Sequence, residues 1–92
     1  MKQSTAFALM YEFGTVHIKL TELAEKYFNH NSRTAKSNAI KNKYEFPVFR
    51  SGNNGSEWLV DVNDFAEYID KKREKAEIEF KETHWLFYVY AR

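Results

Sequence analysis

The spacing of apolar residues changes several times along the chain, and each change marks an element. Phe7, Met10, Tyr11 and Gly14 fall at i, i+3, i+4 and i+7 behind the N-cap types Ser4 and Thr5, with Gly14 as a C-terminal stop. This predicts a short first helix packed on the core through that stripe. Thr15–Lys19 then alternates, Val16 and Ile18 on one side and His17 and Lys19 on the other, as in a short strand with His17 toward solvent. Thr21 is the N-cap candidate of a second helix ending at Phe28. Its Leu20, Leu23, Ala24, Tyr27 and Phe28 form one apolar face against Glu22, Glu25 and Lys26. Asn29–Ser32 is a cluster of turn formers in which Ser32 can cap the next helix, and His30 reads as a turn residue rather than a phosphate contact.

From Arg33 to about Asn42 the pattern is helical but nearly all polar. Only Ala35, Ala39 and Ile40 are apolar, and the two alanines stand at i, i+4, small enough for close packing on the preceding helix. The other side offers Arg33, Thr34, Lys36, Ser37, Asn38 and Lys41, and no acid occurs from Asn29 through Tyr44. A helix held by a narrow apolar seam, with a broad polar and basic face, suits insertion into a major groove. After Lys43 the period shortens. Phe46–Arg50 is strand-like, Ser51–Ser56 a turn, and Trp58–Val62 a return strand with Trp58, Val60 and Val62 on one face.

Asn63 then caps a long helix from Asp64 to about Glu82, striped by Phe65, Ile69, Lys72, Ala76 and Phe80. The charged run Lys71–Lys75 predicts that its far half projects from the core. His84–Arg92 is bulky and β-prone. It should pack on the first helix, add a strand or contact another chain, with Trp85, Phe87, Tyr88 and Tyr90 as an oligomer contact favoured. The expected fold is therefore α+β: a small winged helix-turn-helix domain over 1–82 with an N-terminal helix, its helix-turn-helix over 21–43, its wing over 46–62 and a C-terminal helix over 63–82. An aromatic segment over 83–92 completes the chain.

Ninety-two residues suffice for one domain and are too few for two. The absence of cysteine removes disulfides and thiolate metal sites, and His17, His30 and His84 fall in no ligand-spaced pair, so neither metal nor cofactor is expected. Asp61, Asp64 and Asp70 read as capping and solvated residues rather than metal ligands. Lys2 before Ala6–Tyr11 is a poor signal peptide, because Glu12 interrupts the run and no small-residue cleavage site is present. No apolar stretch approaches the about 20 residues of a membrane span. A cytoplasmic protein without membrane contact is expected. The net charge of +1 is unevenly placed: residues 33–50 carry five bases against one acid, residues 57–82 five bases against nine acids. One basic segment on a nearly neutral body suits a polyanion-binding face.

The order Leu20–Ala24, Arg33–Ala35, Pro47–Arg50 and Trp58–Phe65 resembles the winged helix of excisionases and MerR-type proteins. A closer resemblance is to the pyocin activator PrtN family. It rests on Thr5–Met10, Glu25–Phe28, Thr34-Ala35, Phe46–Arg50, Trp58–Val60 and the set Asp64, Ala66, Ile69, Asp70, and it spans residues 4–76. The resemblance implies a small bacterial or prophage transcription activator acting upstream of bacteriocin or phage genes. Ser37 and Asn38 stand where such a helix often holds arginines, and Trp85–Tyr90 lies beyond the family pattern.

The expected activity is sequence-specific binding of double-stranded DNA. Arg33, Thr34, Lys36, Ser37, Asn38, Lys41 and Lys43 would serve the major groove, Asn38 nearer the seam, and Arg50, Asn53 and Asn54 would meet the backbone or minor groove from the wing. About five positive contacts support only weak, salt-sensitive binding. Useful affinity therefore needs a homodimer or higher homo-oligomer on repeated half-sites, with RNA polymerase a further candidate partner. The rivals are an excisionase-like recombination directionality factor and, from another class, a protein-interaction module such as an antirepressor. An enzyme is not expected, since no nucleophile–base pair or phosphate loop is present.

Overall fold

A computed structural model describes residues 4–50, 52 and 57–91, with side chains as far as Trp85. The elements in order are α1 (Thr5–Phe13), β1 (His17–Lys19), α2 (Leu20–Phe28), α3 (Ser32–Ile40), β2 (Phe49–Arg50), β3 (Trp58–Asp61) and α4 (Val62–Ala91). They make a small α+β domain of four helices and a three-stranded antiparallel sheet in the order β1-β3-β2. The alternation in β1 sets its register. Ile18 lies opposite Val60, and both are fully buried. On the other edge of β3, Phe49 pairs with Leu59 and Arg50 with Trp58. Phe46 leaves the expected strand and turns into the core, so β2 keeps only two residues after Pro47 and Val48.

The first helix is capped as its sequence predicts. The Ser4 hydroxyl accepts from the Phe7 N–H at 3.3 Å. Gly14 closes the other end at φ 72°, its N–H donating to the Met10 carbonyl. The helix packs on α4 through a different face from the one its sequence predicts, however. Leu9 is buried and Ala6 and Phe13 are partly so, whereas Phe7 is 63% and Tyr11 87% exposed and Met10 is exposed too. Two apolar stripes compete on this nine-residue helix. The stripe with the small Ala6 allows close approach, and the Thr5 hydroxyl donating to Asp70 Oδ1 at 2.6 Å holds that side against α4. Glu12 ties α1 to α2 by pairing with Lys26 and accepting from the Tyr27 hydroxyl at 3.0 Å. The Lys26 bond is the main cause of a Glu12 pKa below the ordinary carboxylate value, with burial opposing it and the Tyr27 bond adding to it.

Helix α2 starts directly from β1 at Leu20, with Lys19 at the cap position and no side-chain cap, so Thr21 lies inside the helix. Leu20, Leu23 and Ala24 are buried as expected, while Tyr27 is exposed with its ring edge-on to Phe65. Asn29, at φ 55°, ends α2 in the left-handed region that asparagine tolerates. At the start of α3 the cap is Asn31 rather than Ser32. Asn31 Oδ1 accepts the Thr34 N–H at 2.8 Å, and Ser32 is the first helical residue. The helix ends at Ile40, short of Asn42. Asn42 adopts φ 54° and donates to the Ala39 carbonyl, while Lys43 donates to Asn38 at 2.9 Å, the paired bonds of a Schellman closure.

Asp61, not Asn63, caps α4 by accepting the Asn63 N–H at 2.8 Å. The helix then runs past Glu82 to Ala91, so the C-terminal stretch continues a helix and is not a strand. Adding a residue to an existing helix costs far less than nucleating a new element, which outweighs the strand preference of the aromatic residues. Val62, Phe65 and Ala66 are buried and Tyr68 and Ile69 partly so. Every described side chain from Asp70 to Trp85 is exposed, including Lys72, Ala76 and Phe80 of the expected stripe, so the far half projects as the charge run predicts.

The α2–α3 packing depends on small side chains at Ala35 and Ala39, both buried in the same cluster as Leu20, Leu23 and Ala24. Ala39→Leu should destabilise the fold by about 1–3 kcal/mol through overpacking, read as a lower urea midpoint. The same substitution at exposed Lys36 should leave the midpoint nearly unchanged.

Candidate nucleic-acid interface

The alanine seam decides which way α3 presents its polar side chains. With 3.6 residues per turn, Arg33, Ser37, Ile40 and Lys41 lie on the side away from Ala35 and Ala39, and Lys36 flanks them. These five residues, with Ser32, line one shallow outward surface. Four of the sequence-derived candidates are thus brought together: Arg33, Lys36, Ser37 and Lys41. Thr34 is exposed on the flank, and its N–H belongs to the Asn31 cap. Lys43 is exposed one turn beyond the helix end.

Asn38 is half-buried on the inner flank, beside the Tyr44 hydroxyl. Burial is the larger influence on Tyr44 and raises its pKa above the ordinary phenol value, with Asn38 opposing it. Tyr44 also meets His30 Nδ1 at 3.1 Å. His30 stacks on Phe28, whose ring stacks in turn on Phe46. The histidine therefore fastens the α2–α3 turn to the segment after α3, the structural role its turn position suggests.

Ile40 departs from its sequence expectation. Its apolar character groups it with the two alanines, yet it is 68% exposed in the middle of the basic face. Its angular position carries the signal: one residue past Ala39 and five past Ala35, it falls off the seam. Ser32 likewise joins the outer surface once Asn31 takes the cap.

The acid nearest this face in sequence is withdrawn from it. Glu45 pairs with Lys72 of α4 at 2.9 Å and raises the lysine pKa. On the hairpin, the Arg50 guanidinium lies over the Trp58 ring, 4.4 Å from its centroid, so the cation is held at the sheet rather than at a free tip. Asn53 and Asn54 lie outside the described residues, as do the side chains of Phe87, Tyr88 and Tyr90. Trp85 is 65% exposed. Among the described residues there is no cluster of His, Asp and Glu that could hold a metal ion, and no helix is long and apolar enough to cross a membrane.

Tyr27 and Tyr44 both sit above the ordinary phenol pKa, chiefly through burial, with the Glu12 carboxylate adding to the effect on Tyr27. The folded chain thus holds these protons more tightly than the unfolded one. Their contribution is complete below about pH 10 and is lost as pH rises through the raised folded values. The urea midpoint should therefore fall above pH 10, and the fall should be shallower in Tyr44→Phe, which cannot ionise at that position.

No curated protein and no solved structure matches the chain. One family model does, described as pyocin activator protein PrtN, over residues 5–76. That match runs from the first residue of α1, through the α2–α3 pair and the sheet, to the point where α4 has left the core. The chain belongs to the pyocin activator protein PrtN family, a family of regulatory activators.

Proposed function

We propose that this chain activates bacteriocin or prophage genes by binding double-stranded DNA as a winged helix-turn-helix protein. The observation that carries the reading is the outer face of α3. Arg33, Lys36 and Lys41 supply positive charge, Ser37 a hydrogen-bonding hydroxyl and Ile40 an apolar contact, on the side away from the alanine seam. Cationic side chains bind phosphates and fix register, while hydroxyl and apolar groups discriminate base edges. An exposed isoleucine among lysines finds a suitable partner in the methyl group of thymine. Arg50, anchored on Trp58, offers the second set of contacts from the hairpin. Membership in an activator family favours a promoter as the site and RNA polymerase as the protein recruited there.

The test is DNA binding measured against salt. Replacing Arg33, Lys36 and Lys41 by alanine should lower the slope of log affinity against log salt by about 2–3, at about 0.9 per phosphate contact. Unchanged affinity with the fold intact would remove the reading in favour of a protein-interaction module. Footprints at an attachment site rather than a promoter would replace the activator role by that of an excisionase-like factor. Within a bound site, exchanging thymine for uracil should weaken the wild type but leave Ile40→Ala unaffected.

A further inference from the structure

Helix α3 is held to the rest of the domain on one side only. Among the described elements it packs substantially against α2 alone, and of its own side chains only Ala35 and Ala39 are buried. Two methyl groups fix how closely the helices approach but resist little rocking of one on the other. A nine-residue helix has little stability of its own in water. The angle at which α3 presents Arg33, Ser37, Ile40 and Lys41 therefore depends on how its two ends are tied.

Both ends are tied at one point. His30 stands just before the Asn31 cap, and its backbone N–H donates to the Ala24 carbonyl of α2 at 3.1 Å. Tyr44 stands just after the Schellman closure, 14 positions along the chain, yet its hydroxyl lies 3.1 Å from His30 Nδ1. Everything between them, the whole of α3 with Lys41 and Lys43, is a loop pinched shut by that side-chain bond. Asn38, on the inner flank of α3, approaches the same hydroxyl. Phe28, the last residue of α2, seats both partners: the His30 ring stacks on it with centroids 5.8 Å apart, and the Tyr44 ring meets it at 5.6 Å. His30 and Tyr44 are both half-buried, and neither lines the outer surface of α3.

We propose, resting on the reading of α3 as the DNA-binding helix, that His30 and Tyr44 are positioning residues for DNA recognition. Their hydrogen bond holds α3 at the angle its outer face needs, and neither side chain touches the DNA. Recognition requires groups held within about 0.5 Å of the productive geometry, so a helix free to rock must lose that freedom on binding. The bond removes the motion beforehand. A bond that served folding alone would leave the affinity of fully folded protein unchanged, and this difference separates the two roles.

The probe is duplex DNA selected by the wild-type chain from a random-sequence pool, titrated at a temperature where circular dichroism shows each variant fully folded. Tyr44→Phe removes the hydroxyl, and His30→Phe keeps a ring against Phe28 while removing Nδ1. Each should weaken binding by about 2- to 12-fold, the range of one neutral hydrogen bond. The slope of log affinity against log salt should not change, because no phosphate contact is lost. The double variant should be no weaker than the weaker single, since both remove the same bond. His30→Asn places a hydrogen-bonding atom as many bonds from Cα as Nδ1 and should recover most of the affinity despite losing the ring. Wild-type affinity in both phenylalanine variants, additive losses in the double variant, or His30→Asn binding no better than His30→Phe would overturn the proposal and leave the DNA-binding reading in place. A shallower salt slope in His30→Phe would overturn it in favour of a phosphate contact by His30. A wild-type chain that selects no duplex would remove that reading and the proposal together.

Discussion

The orientation of the α2–α3 pair depends on one aromatic cluster. Phe46, thrown into the core by the segment after α3, touches Phe28 of α2, Tyr44 beside it and both Phe65 and Tyr68 of α4. Stacked and edge-on ring contacts contribute about 0.5–1.5 kcal/mol each beyond burial, and they impose geometry as well as adhesion. Phe46 is the point where three segments distant in sequence are fixed together. The sheet, the turn and the start of α4 are arranged around that junction. His30 and Tyr44 close it from the outside with their hydrogen bond.

A second constraint is the absence of any buried polar or charged side chain among the described residues. The core needs no internal ion pair and so bears no desolvation cost of one. Charge is confined to the surface, where it selects orientation rather than supplying stability. Glu45 and Lys72 steer an acid away from α3, Thr5 and Asp70 choose the face of α1, and His17 leans on Asp61 at 3.3 Å along the sheet edge. All of these pairs lie at the surface, and surface pairs contribute little energy by themselves.

Much of this is legible in the chain because the governing signals are local. The Ile18 alternation, the alanines at i, i+4 and the buried face of α2 each come from period alone, and so does the exposed charged run of α4. The family is legible as well, from motifs in order rather than from any one of them. The features that escape the sequence need information from a distance. Nothing in residues 5–13 says which of two apolar stripes meets α4, since Asp70 is 65 positions away. Asn31 displaces Ser32 as a cap because both types are competent and only backbone geometry separates them. The aromatic C-terminal residues read as β-prone because propensity weighs each residue singly, while a helix already in progress recruits the next residue cooperatively. Ile40 misleads in another way. Its side chain is apolar like the alanines, but its angle around the helix, not its composition, decides where it points.

The two alanines also divide α3 into a side that answers to the fold and a side that does not. Residues 33, 36, 37, 40 and 41 contribute nothing to the buried cluster, whereas positions 35 and 39 admit almost nothing larger than a methyl group. Mutations on the outer side are therefore judged by what the helix meets, with stability nearly silent. A lineage carrying this domain can revise the outer surface one residue at a time and stay folded at every step. The inner pair is where drift stops.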